Sequence, residues 1–351
     1  MARLLKKALE HSSFEVELAS ELRSWEGKGN ESAQKRIEKA GAWESEQLIA
    51  HYRALPKHQR PKAWFTYHLY HKAPDWIGPR VSAALSIPYF VAEASIAPKQ
   101  EGGRWSTGYH ASMDAVAQAK SVFCLNPKDV ECIFKVQPKT RVVNLKPFLD
   151  VAPSPHNKSQ IRQCISAARN INEHHYWLTS VAMMRNDSKR QSYLLLANAV
   201  ALLERKDWQL LLIGDGPAKT EIKQAFNDRP NVHFLGMQST DYIEDCLLAS
   251  DLFVWPAINE AFGMSMLESL AAGLPVIAGD FGGVGQIVED GKTGRLIKNI
   301  NAAKLAQTID DTLNSPRDIA RMASRSLDKY FAEHSLNNAA DTLRAEILKH
   351  V

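Results

Sequence analysis

The sequence predicts an α/β protein built on parallel sheets with helices on both faces, and three observations carry this prediction. Short apolar runs such as Gln209–Ile213 alternate along the chain with longer segments of helical apolar spacing. The runs are nearly continuous in apolar residues, which is typical of strands buried on both faces. The chain has 351 residues, of which 45% are hydrophobic, so we expect two domains that each bury a core.

The first half is predicted to begin with helices at 1–11 and 31–54, separated by a strand at Val16–Ala19. Four further apolar runs are predicted to be buried strands: Ala63–Tyr67, Pro88–Ala92, Ser121–Leu125 and Arg141–Leu145. Residues 146–160 carry three prolines and few apolar residues after Val151. We therefore place a linker at 151–174, between a first domain at 1–150 and a second at 175–320.

The second half alternates more regularly between strands and helices. The predicted elements are, in order, strand Tyr176–Met183, helix Ser192–Leu203, strand Gln209–Ile213, a helix from Ala218, strand Val232–Leu235, helix Thr240–Ala249, strand Asp251–Trp255, helix Met264–Ala272 and strand Leu274–Ala278. Gly273 stands where a left-handed helix cap favours glycine. This order predicts two Rossmann-like domains facing a central cleft.

Composition argues against several classes of protein. The net charge of +4 is too small to indicate nucleic-acid binding. Four scattered cysteines without a CxxC pair suggest neither a zinc site nor a disulfide framework. The sequence shows no secretory signal and no run near the ~20 apolar residues of a membrane span, so we expect a cytoplasmic protein. The basic excess in the first half fits an ordinary solvated surface or a peripheral contact with the inner face of the membrane.

The loop and helix after Asp251–Trp255 carry two carboxylates that could grip sugar hydroxyls. Glu260 falls in the loop and Glu268 inside the next helix, at the end of a sheet where ligands commonly bind. Gly263 allows a close backbone approach, and free N–H groups at a helix start suit an anion. The same pattern also fits a helix-start carboxylate and a solvated helix residue.

Two cations, Arg185 and Lys189, follow the strand Tyr176–Met183. On a strand-to-helix loop they could neutralise a diphosphate, or they could be ordinary surface charges. Gly214 and Gly216 follow the next strand but lack the third glycine of the dinucleotide fingerprint. They indicate a tight turn, while the pair Gly282-Gly283 could approach a phosphate or only form a turn.

The first half offers candidates for acceptor contacts at or beyond strand ends: His68, His71, Glu93, Ser95 and His110. The spacing of the histidines with Asp75 matches no known zinc site, so we predict no metal. The sequence contains no GxSxG motif, so a serine hydrolase is not supported.

One segment carries a family likeness. The run Glu260-Ala-Phe-Gly-Met-Ser-Met-Leu-Glu268 resembles the Glu-x7-Glu signature of the family-4 retaining glycosyltransferases, which have the GT-B fold. The motifs Leu212-Ile-Gly-Asp-Gly-Pro, Val232-His-Phe-Leu-Gly236 and Asp290-Gly-Lys-Thr-Gly294 match that family in order and spacing. The resemblance covers 175–345 well and the first half more loosely.

The resemblance implies a nucleotide-diphospho-sugar donor and a glycan or lipid-linked acceptor. It implies that Arg185 and Lys189 bind the diphosphate, Glu268 the ribose hydroxyls and Glu260 the transferred sugar. The backbone at Phe262, Gly263 and Met264 would lie against sugar and phosphate, the loop at Leu235 and Gly236 beside the nucleobase, and Gly214 on the donor side. Transfer would retain anomeric configuration without metal or cofactor, in polysaccharide or other glycan synthesis. A final helix at 321–351 would cross back to the first domain.

The chain departs from this family in two places. The opening residues resemble the helix that follows the family's first strand and Gly-rich loop, so we expect a missing N-terminal segment. Ser95 stands where many members carry a histidine. A nucleotide-sugar-binding protein without activity and a GT-B epimerase remain as alternatives.

Overall fold

The computed structural model describes residues 1–152, 157–227 and 229–351 of the chain. The chain divides into two compact units. The first unit comprises Met1–Lys146 together with Leu336–Val351, and the second comprises Pro147–Ser335. The end of the chain therefore groups with its beginning.

The first unit is built on a parallel sheet that has four strands in the described part of the chain, in the sequential order β1-β2-β3-β4. These strands are β1 (Trp64–Tyr70), β2 (Tyr89–Ser95), β3 (Ser121–Cys124) and β4 (Val142–Asn144). Its helices are α1 (Ala2–His11), α2 (Glu31–Ala54), α3 (Gly78–Leu85), α4 (Ser106–Gln118), α5 (Pro127–Val136) and, from the chain's end, the helix Leu336–Ile347. The predicted strands and the first two helices are thus confirmed, apart from the strand at Val16–Ala19.

The prediction of a strand at Val16–Ala19 is wrong. This stretch has no regular structure, and Leu18 is 70% exposed. A short apolar run forms a strand only where a neighbouring strand completes its hydrogen bonds and a core takes its side chains. Here the alternating Glu15 and Glu17 leave too little apolar surface for that.

The second unit is built on a parallel sheet with the strand order β10-β9-β8-β5-β6-β7. These strands are β5 (Tyr176–Val181), β6 (Trp208–Ile213), β7 (Val232–Gly236), β8 (Leu252–Trp255), β9 (Val276–Gly279) and β10 (Gly294–Ile297). β6, β8 and β9 are buried along their whole length, as expected for strands covered on both faces.

The helices of the second unit include three that were not predicted from the sequence, at Lys158–Arg169, Val284–Ile287 and Ala302–Leu313. The helices of this unit are α6 (Lys158–Arg169), α7 (Ser188–Ala201), α8 (Lys219–Ala225), α9 (Thr240–Ala249), α10 (Met264–Ala271), α11 (Val284–Ile287), α12 (Ala302–Leu313) and α13 (Pro316–Lys329), and the helix Leu336–Ile347 that follows in the first unit is α14. The stretch expected as a linker, 151–174, holds α6 and groups with the second unit, while its residues 153–156 lie outside the described residues.

Within the described ranges, none of the helices is long and apolar enough to cross a membrane. A π-helical turn, Tyr330–His334, stands between α13 and α14.

The helix α14 is fixed to the first unit's sheet by a buried carboxylate. Glu346, 2% exposed, accepts hydrogen bonds from the side chains of Ser121, Arg141 and Lys349. The hydrogen bond from Arg141 lowers the pKa of Glu346 far below its ordinary value, and it outweighs the opposing effect of burial.

We expect Glu346→Gln to destabilise the protein by about 2 kcal/mol at pH 7, because a buried hydrogen-bond network loses its negative charge and one of its two acceptor oxygens becomes an NH₂ donor. Because the pKa of Glu346 is lower in the folded than in the unfolded protein, its ionised form stabilises the fold above the unfolded-state pKa, and this contribution is lost as the pH falls below that pKa. The difference in stability between the variant and the wild type should therefore shrink on acidification. Thermal unfolding at several pH values measures this. Glu31→Gln, at an exposed pair with Lys35, is the control and should change little.

Candidate functional site

The topology of the second sheet marks one place for a ligand. Its strand order reverses between β5 and β8, because the chain winds from β5 to β7 in one direction and from β8 to β10 in the other. In open parallel sheets, ligands bind outside the carboxyl ends of the strands at this switch point. The loops after β5 and β8 are the two that carry the predicted cations and carboxylates.

The loop after β5 brings both predicted cations to this end of the sheet. Asp187 caps α7 by accepting a hydrogen bond from the Lys189 N–H at 2.8 Å. Lys189 therefore lies in the first turn of a helix, where the macrodipole favours negative charge, and such a local conflict is typical of functional positions. Arg185 is half exposed, and its Nε lies 3.3 Å from Asp187 Oδ2.

The loop after β8 brings Glu260 onto Lys189. The Lys189 ammonium donates a hydrogen bond to Glu260 Oε2, and both side chains are largely buried, with 19% and 14% exposed. The indole N–H of Trp255 lies 3.4 Å from the same oxygen. The predicted cation and the predicted sugar-binding carboxylate are thus direct neighbours.

The backbone before Glu260 is held in an uncommon conformation. Ala257 and Asn259 have positive φ angles of 57° and 52°, which side-chain-bearing residues seldom adopt. The N–H of Ile258 donates to Ser192 Oγ on α7 at 3.0 Å, so the helix that carries Lys189 also anchors this loop. Ser192 could not be identified from the sequence, because a serine on a helix normally has no such partner.

The loop after β9 supports the same segment from a third side. A Cβ atom on Gly279, Gly282 or Gly283 would come within 2.6 Å of a carbonyl oxygen of Pro256, Glu260 or Ala261, respectively. The Gly283 N–H also donates to the Ala261 carbonyl at 2.8 Å. Gly282 and Gly283 therefore pack against the loop that carries Glu260. The sequence had left open only an approach to a phosphate or a simple turn for this pair.

Gly214 packs closely beside the loop after β5. A Cβ there would lie 1.9 Å from the carbonyl oxygen of Ala182, and φ is +144°. Its N–H donates to the Gly236 carbonyl at 2.8 Å, which links the ends of β6 and β7. Leu235 is buried, whereas a Cβ on Gly236 would face open space. Backbone at Gly236 is thus accessible to a ligand lying across these strand ends.

The helix α10 begins at Met264, and the residue before it, Gly263, has a φ of 78° that suits glycine. Phe262, one residue earlier, is partly buried. Glu268 lies on α10 and is partly buried. Burial raises the pKa of Glu268 to about 7, and the like charge of Glu244 adds to this effect.

In the first unit, two of the five acceptor-side candidates contact each other. His68 Nδ1 lies 3.4 Å from Glu93 Oε2, and both residues have positive φ angles, of 66° and 61°. Burial raises the pKa of Glu93, but hydrogen bonds with His68 and Tyr67 outweigh it and leave the pKa below its ordinary value. The contact with Tyr67 and the positive φ angles of His68 and Glu93 could not be predicted from the sequence, because strand periodicity carries no information about left-handed residues.

The other acceptor-side candidates have partners of their own. Ser95 forms a hydrogen bond with Asp129, whose pKa is raised by burial and by the like charge of Glu93, so Ser95 is linked through Asp129 to the same pair. His71 packs edge-on against Trp105, and its pKa is lowered by burial and by Lys72. His110 packs against its neighbour Tyr109 on α4. Over the ranges described, no group of three or more His, Cys, Asp or Glu side chains is arranged to hold a metal ion.

Fold and site together define an α/β protein with two parallel sheets and a charged cluster at the switch point of the second, where such sheets bind ligands. Residues 162–328 match the family described as "Glycosyl transferases group 1".

Two curated relatives illustrate the sequence similarity. An alpha-D-kanosaminyltransferase from Streptomyces kanamyceticus is 28% identical over 158 residues, which are 44% of this chain and 41% of the relative. A D-inositol 3-phosphate glycosyltransferase from Streptomyces avermitilis is 31% identical over 177 residues, 46% of this chain and 38% of the relative. The chain therefore spans less than half the length of these relatives.

Solved structures extend the likeness over most of the chain. A glycosyltransferase from Rickettsia africae ESF-5 matches with a TM-score of 0.71 at 16% identity, covering 93% of this chain and 84% of that one. Anabaena Alr3699/HepE in complex with UDP matches with a TM-score of 0.68 at 19% identity, covering 87% and 82%. The chain thus has the GT-B fold, and the resemblance to glycosyltransferases is confirmed.

Proposed function

We propose that the chain is a retaining glycosyltransferase that moves a sugar from a nucleotide-diphospho-sugar to an acceptor hydroxyl in glycan synthesis. The observation that carries the proposal is the meeting of Lys189 and Glu260 at the switch point, inside a glycosyltransferase group 1 domain. A cation and a carboxylate side by side can bind the two halves of such a donor. One takes the diphosphate, and the other takes the hydroxyls of the sugar.

In this mechanism the charge that develops on the leaving diphosphate is stabilised by Lys189, by Arg185 and by the N-terminus of α10. The bond from the anomeric carbon to the phosphate oxygen breaks while the bond to the acceptor oxygen forms on the same face. The acceptor's proton passes to the leaving phosphate. Because these groups supply positive charge where it is needed, the proposal includes no metal and no cofactor.

The remaining predicted residues take the roles that the resemblance gives them. Glu268 accepts hydrogen bonds from the ribose hydroxyls, and the accessible backbone at Gly236 flanks the nucleobase. The GT-B relative Alr3699/HepE has been solved with UDP, which supports a nucleoside diphosphate as the common part of the donor. The first unit supplies groups for a glycan or lipid-linked acceptor.

The proposal is tested with UDP-, GDP- and ADP-sugars in the presence of EDTA, measuring released nucleotide and thermal stabilisation by the donor. Release from one donor, and NMR showing that the product keeps the donor's anomeric configuration, would support it. Stabilisation by a donor without release or transfer to any offered acceptor would instead support a protein that only binds nucleotide sugars. Loss of release with EDTA would contradict metal independence.

Glu268→Gln is expected to stabilise the protein at pH 8 while weakening donor binding about tenfold, because a neutral amide replaces a charged acceptor. Because the pKa of Glu268 is raised in the folded protein, the contribution of its protonated form to stability is complete below the ordinary pKa of 4.5. This contribution is lost as the pH rises through about 7. The amide avoids this loss, so the melting temperature should rise by about 2–4 °C. Glu333→Gln, at a carboxylate that pairs with Lys329 in the same unit, is the control and should keep donor affinity. Unchanged donor affinity in Glu268→Gln would contradict the ribose role.

A further inference from the structure

Glu260 is held by two different donors on one carboxylate oxygen. Oε2 accepts a hydrogen bond from the Lys189 ammonium and contacts the indole N–H of Trp255 at 3.4 Å. The ammonium also lies 5.5 Å from the centre of the Trp255 ring. The indole therefore touches both members of the ion pair, one through its N–H and the other through its ring.

The two donors differ in their freedom to move. Trp255 ends β8, is 1% exposed and packs edge-on against Tyr193, with ring centroids 4.9 Å apart. Tyr193 is itself fixed, since its hydroxyl donates to the Ala182 carbonyl at 2.7 Å. Lys189 instead carries its charge on a flexible four-carbon chain. The ammonium can turn to a new partner, whereas the indole cannot.

A diphosphate at this site would compete with Glu260 for the Lys189 ammonium. The diphosphate carries more negative charge than a carboxylate and offers more acceptor oxygens, so it would draw the ammonium toward itself. Glu260 would then lose its cationic partner at the moment it has to bind the sugar. Its remaining partner would be the indole N–H.

We propose that Trp255 is a positioning residue, which keeps Glu260 aimed at the transferred sugar while Lys189 passes from Glu260 to the diphosphate of the donor. This inference rests on the proposed function. It predicts that Glu260 opposes the binding of nucleotide alone. It also predicts that the indole N–H matters for turnover and not for nucleotide affinity.

The first test measures the affinity of UDP, GDP and ADP by calorimetry at pH 8. Glu260→Gln should bind the preferred nucleoside diphosphate about tenfold more tightly than wild type, although it loses transfer, because Lys189 is released from its competitor. Glu333→Gln removes a carboxylate that is paired with a different lysine of the same unit, Lys329, and its affinity should stay within about twofold of wild type. Equal or weaker affinity in Glu260→Gln, or the same gain in Glu333→Gln, would overturn the proposal.

The second test separates kcat from affinity. Trp255→Phe keeps an aromatic ring beneath Lys189 but removes the N–H, so kcat should fall about tenfold while nucleotide affinity stays within about twofold. Trp177→Phe is the matched control, since this buried indole donates to the Asn172 carbonyl at 2.9 Å. The control should keep its kcat, and melting temperatures of both variants report whether they fold. Full kcat in Trp255→Phe, or an equal loss in Trp177→Phe, would refute the positioning role.

The two hypotheses fail in different ways. If the wild-type protein neither binds a nucleoside diphosphate nor releases one from a donor, the proposed function fails and this inference with it. If the wild type binds and turns over while Glu260→Gln and Trp255→Phe behave as their controls do, the inference alone fails.

Discussion

Replacing Lys189 by methionine is expected to lower kcat for sugar transfer by about 10²–10³. The Lys189 side chain is only 19% exposed, and in the proposed mechanism its ammonium stabilises the charge that develops on the leaving diphosphate. Methionine keeps the length of the side chain but not the charge. Single-turnover measurements with saturating donor would separate this loss from weaker binding.

Lys329→Met controls for the removal of a partly buried lysine. Its ammonium lies 2.6 Å from Glu333, and its side chain is 12% exposed, close to the 19% of Lys189. Both variants therefore lose a lysine paired with a glutamate in the same unit, but only one stands at the switch point. If both lost activity alike, or if Lys189→Met retained wild-type kcat, the assignment of Lys189 to the diphosphate would be wrong.

The position of this site could be predicted from the sequence because it depends on strand order. Short apolar runs between helices predict a parallel sheet. Charged residues that follow the strands Tyr176–Met183 and Asp251–Trp255 must then lie at the carboxyl ends of those strands. That β5 and β8 are neighbours makes these two loops meet.

The contacts within the site could not be predicted in the same way. Whether Lys189 reaches Glu260 or a solvent position depends on side-chain directions set by three loops, including the glycines after β9. Trp255 gave no signal of its own, since a tryptophan in an apolar strand is ordinary core. Its role depends on where the indole N–H points, and periodicity does not encode that direction.

The first unit shows a different limit. Apolar runs predicted β1 and β2 correctly, but the left-handed residues His68 and Glu93 interrupt both strands at neighbouring positions. Nothing in composition distinguishes these residues from ordinary strand residues, because the conformation is imposed by the contacts of the folded unit. The same absence of tertiary information explains the false strand at Val16–Ala19.

Gly282→Ala is expected to reduce transfer about 100-fold although it removes no side chain of the proposed site, because about 1 Å of misplacement at a reacting group can cost this much. The new Cβ would lie 1.9 Å from the backbone oxygen of Glu260, and φ at Gly282 is +55°. Backbone cannot yield as a flexible side chain does, so the loop that carries Glu260 has to shift. The melting temperature should fall as well, since alanine in this conformation is strained.

Alanine substitutions at two further glycines separate backbone strain from displacement of the Glu260 loop. Gly291→Ala introduces the same kind of strain, at φ +74°, but its Cβ meets only the end of the Arg295 side chain at 3.5 Å. Gly285→Ala introduces neither strain nor overlap, since its nearest neighbour is Leu296 at 3.8 Å. We expect Gly291→Ala to lose stability alone and Gly285→Ala to resemble wild type. If Gly282→Ala lost only as much activity as Gly291→Ala, the position of the Glu260 loop would not control transfer, because strain without displacement would then account for the whole effect.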